Sequence, residues 1–493
     1  CDKLGLKAQI AHLEGDDLLA QLPELRKAGH PLKHLDTGQP LAELQAMPIS
    51  ANAYLGGWGI VEALNRGAQV VVCPRVTDAS VVVGPAAHHF GWARDDWDRL
   101  AGAVVAGHVI ECGTQCTGGN YAFFQEVPGL EHPGFPIAEV HQDGSCVITK
   151  HEGTGGLVSV GTVTAQLLYE IAGPDYPNPD VVARFDTIDI AQEGKDRVRI
   201  SGVRGASAPP ETKVCINYLG GFRNSMTFVL TGLDIEAKAQ LATETLLQEL
   251  GGADKFDSVD VELIRSDRPD AETNVGACAN LRVTVKGKDP QSVGRGFSSK
   301  VVEMALASYP GFFCTTPPSD ASPVGVYWPT LVPADVPQQV LILGDGTSLK
   351  IEPTSPDDSA PPVDVSAPPR VALPEGPTRR LPLGTVIGAR SGDKGGNANV
   401  GLWARSDAGY AWLESFLTVE RFRQLMPEAA ELEVRRYEFP RLLALNFVVV
   451  GLLGEGVASS VRFDPQAKGL GEYLRSRLVD LPEALLADQP SGK

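Results

Sequence analysis

Met47-Pro-Ile-Ser-Ala-Asn52-Ala-Tyr-Leu-Gly-Gly57-Trp-Gly-Ile-Val-Glu-Ala-Leu-Asn-Arg-Gly67-Ala-Gln-Val-Val-Val-Cys73 is the stretch that sets the fold class of this chain. Met47–Ser50 has strand character and Asn52–Trp58 is a glycine loop. Gly59–Arg66 places Ile60, Ala63 and Leu64 at helical spacing, with Gly67 as its stop. Val70–Cys73 then reads as a short buried strand. A strand, a helix and a second strand in succession predict an α/β region with a mixed sheet.

The same alternation extends outward. Cys1-Asp-Lys-Leu-Gly-Leu reads as a helix tail capped by Gly5, followed by a strand at Ala8–His12, so an N-terminal piece is expected to precede it. After the N-cap pair Thr77-Asp78 a helix is expected over Ser80–His89, and another over Trp97–Glu111. Ile137–His141 and Cys146–Lys150 flank Gln142-Asp143-Gly144 as a hairpin. A helix at Val163–Ile171, β-rich sequence over Asp180–Leu230, a helix at Ile235–Leu250, strands at Val259–Arg265 and Asn280–Lys286 and a helix at Gly296–Tyr309 follow. Nine of the thirty residues 353–382 are Pro, which makes this segment a semi-extended linker. Beyond it lies a compact α+β unit: strands at Gly384–Arg390, Asn399–Arg405, Leu432–Glu438 and Leu442–Leu452, and helices at Ala408–Leu425 and Leu470–Val479. The expected organisation is a core over 1–352, with parts near 1–175 and 176–352, the linker 353–382, and a domain over 383–493.

The net charge of −18 argues against nucleic acid or an anionic membrane surface as the main partner. No apolar run is long enough for a membrane helix. Eight cysteines are too sparse for a disulfide scaffold in 493 residues, which fits reduced thiols in a cytoplasm. All nine histidines lie between His12 and His151, so imidazole chemistry has to come from that segment.

Several polar, glycine-bearing motifs are candidate sites. Asn52–Gly59, with Asn52, Gly56 and Gly57, turns from strand into helix, where free backbone N–H groups favour an anion; a tight turn packing Tyr54 and Trp58 is the plain structural reading. Arg75, Thr77 and Asp78 follow the carboxyl end of a strand, where open sheets bind ligands; alternatively Asp78 or Thr77 caps the helix and Arg75 pairs with it. His108, Glu111 and Cys112 share one helical face, although His108 also falls on the apolar stripe and fits a core histidine. Glu111 leads into a loop with Gly118, Gly119 and Asn120. Cys112 and Cys116, with no second pair nearby, do not make a zinc site, and no metal is expected. Thr154, Gly155 and Gly156 precede a helix and offer a cradle for phosphate or carboxylate. Arg390-Ser391-Gly-Asp393-Lys394-Gly-Gly-Asn397-Ala-Asn399 packs two cations, an acid, a hydroxyl and two amides around three glycines, chemistry that a bare hairpin does not need.

Taken together, Asn52-Ala-Tyr-Leu-Gly-Gly, Arg75-Val-Thr-Asp-Ala-Ser, Glu111-Cys-Gly-Thr-Gln-Cys-Thr-Gly-Gly-Asn120, Gly153-Thr-Gly-Gly and the Arg390–Asn399 motif resemble the acyclic terpene utilisation AtuA family over nearly the whole chain. The resemblance implies a ferredoxin-like fold for the last domain. It also implies bacterial cytoplasmic catabolism of citronellol- or geraniol-type terpenoids through CoA thioesters. Cys73-Pro74 departs from the small residue and Gly expected before the Arg, and the family carries a further N-terminal α/β segment.

On this reading the chain is expected to act on an acyl-CoA thioester as a hydratase/dehydratase or carbon–carbon lyase, with no cofactor beyond the CoA ester itself. Asp78, Glu111 or His108 would move the proton, and the glycine loops with Arg75 or Lys394 would hold the thioester oxygen and phosphates. The alternative is a non-catalytic partner or assembly subunit in acyl-CoA carboxylase-linked catabolism. A homo-oligomer is an expected assembly.

Overall fold

A computed structural model describes residues 2–366 and 368–487; Cys1, at the head of the expected helix tail, lies outside the described residues. Asp2–Leu4 forms a single 3-10 turn that Gly5 ends at φ +64°.

The quoted stretch folds as strand Pro48–Ala53, helix Trp58–Asn65 and strand Val70–Val72, with Gly67 at φ +82° where the chain leaves the helix. Its two strands enter different sheets. Val70–Val72 runs parallel to Ile10–Glu14, which pairs antiparallel with Val340–Ile342 and through it with Ser348–Lys350, so this four-stranded sheet is mixed. Val70–Val72 is an edge strand, with Val70 43% and Val72 55% exposed, and not the buried strand its composition suggests. Only Val71 packs inward, against the first core.

Pro48–Ala53 instead joins a six-stranded antiparallel sheet built on Glu211–Thr231. That long strand pairs with Ser322–Pro333 through its first half and with Cys278–Gly287 through its second. The register shifts between Leu219 and Phe222, where Gly221 takes φ +119°. In the first half Val214, Ile216 and Tyr218 are buried in a core with Val326, Trp328 and Val332. The alternation of a strand therefore turns Lys213, Cys215 and Asn217 to the opposite face.

A larger core gathers helices Ser80–Phe90, Trp97–Ile110 and Val160–Leu167 over strands that include Cys146–Lys150 and Arg197–Ser201. It runs on past residue 175 to Val203. Trp97–Ile110 is buried from Leu100 to Val109 because its small residues admit close neighbours. A Cβ at Gly102 would stand 2.0 Å from the Gly144 carbonyl oxygen.

The C-terminal unit is a four-stranded antiparallel sheet in the order Ile387–Lys394, Asn397–Ala404, Ala444–Val449, Val434–Phe439. The helix expected over 408–425 is two helices, Asp407–Phe416 and Val419–Leu425, because Thr418 caps the second by accepting from the Arg421 N–H. The Arg390–Asn399 motif is not a long loop: it occupies the ends of a hairpin turned by Gly395-Gly396, with Gly395 at φ +66°. Thr378–Pro382, at the end of the Pro-rich segment, pairs with Leu478–Pro482.

Strand Asn397–Ala404 is buried on both faces, and its alternation divides the work. Ala398, Val400 and Leu402 enter the domain's own core. On the other face Trp403 joins the first core, and Gly401 lies so close to Leu168 that a Cβ would sit 2.5 Å from the Leu168 Cβ. Asn399 and Asn446, both 0% exposed, fasten this face to residues 168–171. Asn399 Nδ2 donates to the Leu168 carbonyl (3.1 Å), Asn399 Oδ1 accepts from the Glu170 N–H (2.9 Å), and Asn446 Nδ2 donates to the Ile171 carbonyl (3.1 Å). Asn399→Ala leaves a buried N–H and a buried C=O without partners, and is expected to cost about 2–4 kcal/mol. Urea denaturation checks this; an unchanged midpoint contradicts the clamp.

Candidate active site

Where the C-terminal hairpin meets the first half of the chain, a cleft of about 710 Å³ opens. Thr77, Asp78 and Glu111 line it from the N-terminal region, and Asp393, Lys394 and Gly395 from the hairpin tip. Glu170, Asp175, Tyr176, Glu211, Lys213 and Tyr327 complete its polar wall, while Leu35, Pro177, Pro209, Leu331 and Val457 supply apolar surface. Six carboxylates and two ammonium groups thus face one space.

Glu111, just past helix Trp97–Ile110, is 16% exposed at its side chain. Behind it His108 is 1% exposed and off the cleft wall. His108 Nε2 donates to the Gln166 carbonyl at 3.0 Å, since a carbonyl only accepts, and Nδ1 lies 3.3 Å from the Glu111 carboxylate without hydrogen-bond alignment. His108 meets the cleft wall from behind, through Glu111 and through the Tyr176 ring, whose centroid is 5.2 Å away. Asp78 is 66% exposed and pairs loosely with Arg75 at 3.4 Å. Arg75 stacks over the Tyr54 ring at 5.3 Å and lines an adjoining open groove with Asn52, whose Nδ2 is held by Asp16 at 2.8 Å.

The two lysines are only part-exposed, yet among the described residues neither has a carboxylate within 4.0 Å or a side-chain hydrogen bond. Lys213 Nζ sits 5.5 Å from the Tyr54 ring and 5.6 Å from the Tyr327 ring. Burial, reinforced by the Lys394 charge, lowers its pKa to about 8. Lys394 Nζ is 5.8 Å from the Tyr176 ring. Burial lowers its pKa as well, against the pull of Glu170, Glu111, Asp393 and Asp78. Burial raises the pKa of the Tyr176, Tyr54 and Tyr327 phenols, which keeps them protonated.

The remaining sequence candidates do not line this cleft. The Gly56-Gly57 loop does hold a carboxyl group at its helix end, but it belongs to Asp180 of the same chain, whose pKa is raised by burial against the pull of the Gly57 and Thr354 hydrogen bonds. Gly57 N–H donates to Asp180 Oδ2 at 2.6 Å and Thr354 Oγ1 to Oδ1 at 3.2 Å, and a Cβ at Gly56 would collide with the same carboxyl group. Gly118 packs on Val127, Gly119 on the Thr114 carbonyl, and Asn120 is exposed away from the cleft. Thr154 Oγ1 donates to the His151 carbonyl at 2.6 Å, Gly155 presses on Gly129, and Gly156 on the Thr117 carbonyl. Arg390 stacks on Tyr169 at 4.4 Å and donates to Gln115 at 2.7 Å. Ser391 bonds to Gly471 and Lys468 within the C-terminal domain, Asn397 donates to Asp36 at 2.7 Å, and Asn399 is the clamp described above.

Residues 1–342 match the model of the acyclic terpene utilisation family protein AtuA, and residues 381–480 match the AtuA ferredoxin-like domain. The chain belongs to the AtuA family. Membership places it in acyclic terpene utilisation. No curated protein and no solved structure matches the chain.

Among the described residues of this AtuA protein no cysteine lines the cleft, burial raises Cys116 and Cys146 to about 12, and no three His, Cys, Asp or Glu side chains converge as a metal site. Among the described residues no helix is long and apolar enough to cross a membrane. Six polar residues of the cleft, Glu170, Asp175, Tyr176, Glu211, Lys213 and Tyr327, were not among the sequence candidates. In the sequence Lys213 is an ordinary polar position of an alternating strand, and only long-range pairing brings it opposite Lys394. The lowered Lys213 pKa means that its charge opposes folding below about pH 8, and that this cost fades as pH rises from about 8 toward 10.5. Lys213→Met is therefore expected to stabilise the AtuA protein by about 1–3 kcal/mol at pH 7, and by less at pH 9. Denaturation midpoints at the two pH values check the sign.

Proposed function

We propose that this AtuA protein is an enzyme of acyclic terpenoid breakdown that acts on an acyl thioester in this cleft, as a hydratase/dehydratase or a carbon–carbon lyase. Both reactions develop negative charge on the thioester oxygen while a proton moves at the neighbouring carbons. The observation that carries the reading is the meeting of Lys394 with Glu111 and Asp78 across the seam between the two family-matched segments.

Lys394 is the electrophilic group. A partly desolvated ammonium without a fixed carboxylate partner offers its charge to a developing enolate oxygen at low reorganisation cost. Glu111 takes the proton, and His108 packs behind it on the core side, where its Nε2 donates to the Gln166 carbonyl. Asp78, more exposed and tethered to Arg75, serves the water side of the cleft. Leu35, Leu331, Val457 and the tyrosine rings supply the apolar surface for a branched acyl chain, and the CoA portion extends toward solvent.

Thermal-shift screening against branched enoyl-, 3-hydroxyacyl- and 3-oxoacyl-CoA esters, with products identified by mass spectrometry, tests the assignment. Lys394→Met and Glu111→Gln are each expected to lower kcat/KM by about 10²–10⁴-fold with the fold intact. Unchanged turnover in both variants contradicts these roles. Absence of turnover by any ester, together with co-purification with an acyl-CoA carboxylase, would favour the partner-subunit reading.

A further inference from the structure

We infer that Lys213 is an imine-forming lysine, and that the substrate carries a ketone or aldehyde carbonyl that condenses with its amine. The inference rests on the cleft being a carbonyl site, as proposed above, and deepens it by naming the substrate class as a 3-oxoacyl compound.

The geometry separates Lys213 from the structural cations nearby. Lys468 shows what a structural lysine looks like here: it bonds to the Tyr169 hydroxyl and lies 3.5 Å from Glu170 and 3.7 Å from Asp393. Lys213 has none of this. Its ammonium is boxed by the faces of Tyr54 and Tyr327, opens onto the cleft, and shares that cleft with a second unpaired ammonium, Lys394. A desolvated amine beside another cation is the arrangement that keeps a lysine nucleophilic near neutral pH. The lowered pKa of Lys213 agrees with that arrangement. The backbone around it is rigid: the Lys213 carbonyl accepts from the Tyr54 N–H at 2.8 Å, and Lys213 pairs with Leu331 in the sheet.

The two lysines divide a 3-oxoacyl group between them. The ketone carbon meets Lys213, and the thioester or carboxylate oxygen meets Lys394. The free amine attacks the ketone carbon; the ketone oxygen takes one proton from the attacking nitrogen and one from water or a neighbouring phenol and leaves as water, and a protonated C=N bond forms. Breaking the C2–H bond then sends the proton to Glu111 and the electron pair into the iminium, giving a neutral enamine. No oxidant or reductant is needed. The protonated phenols of Tyr54 and Tyr327 are the acids nearest the departing hydroxyl.

The test is reductive trapping. The whole protein is incubated with acetoacetate, and separately with acetoacetyl-CoA, in the presence of sodium cyanoborohydride, and peptides are sequenced by mass spectrometry. The expected result is a reduced adduct on the peptide carrying Lys213, at least about tenfold above any other lysine, and its loss in Lys213→Arg, which keeps the charge but cannot form the imine. Circular dichroism of Lys213→Arg separates loss of adduct from loss of fold, and the site of the adduct in the parent protein gives a readout independent of the variant. Labelling spread over exposed lysines, or no adduct with either probe, overturns the inference. Turnover of acyl thioesters without an adduct would sink the imine and leave the proposed function standing; an adduct without thioester turnover would do the reverse.

Discussion

The cleft depends on how the C-terminal sheet is seated, and the seat is made by two buried asparagines. Residues 168–171 follow a helix end, where backbone groups have no helical partners. Asn399 and Asn446 satisfy three of them from across the seam. A buried carboxamide that meets such groups stabilises only one register of docking, because a slip would leave several polar atoms bare at once. Trp403, Phe439, Leu442 and Ala444 add apolar area to the same contact by entering the first core. The hairpin that carries Asn399 also carries Lys394 at its tip, so seating the domain and delivering the ammonium are one event.

Close approach explains several of the motif glycines, and what approaches is the protein itself. Gly56 and Gly57 admit the Asp180 carboxyl group, Gly155 admits Gly129, and Gly401 admits Leu168. An anion at a helix start is favourable whether it is a ligand or a side chain. The sequence motif reports the approach and is silent on what approaches.

This separates what was legible from what was not. Local periodicity located most helices and strands to within a few residues. It also set Asp78 and Glu111 beside loops that open on the cleft, and chemistry crowded at the hairpin tip flagged Asp393 and Lys394. Strand membership was not legible: Pro48–Ala53 and Val70–Val72 look alike locally yet belong to different sheets. Lys213 was hidden for the same reason. Its importance comes from Tyr327, more than a hundred positions later, and from the docked Lys394. His108 shows the reverse case, in which an apolar helical stripe correctly signalled burial and its polar neighbour Glu111 holds the cleft position.

Hydrogen–deuterium exchange with and without acetoacetyl-CoA tests the central claim most directly, because it reads where a ligand sits without assuming a reaction. Added protection is expected in residues 211–217, 169–178 and 393–396, three of the segments that wall the cleft, with the Gly56-Gly57 and 151–156 loops unchanged. Protection confined to those glycine loops, or none in the three segments, would contradict the claim.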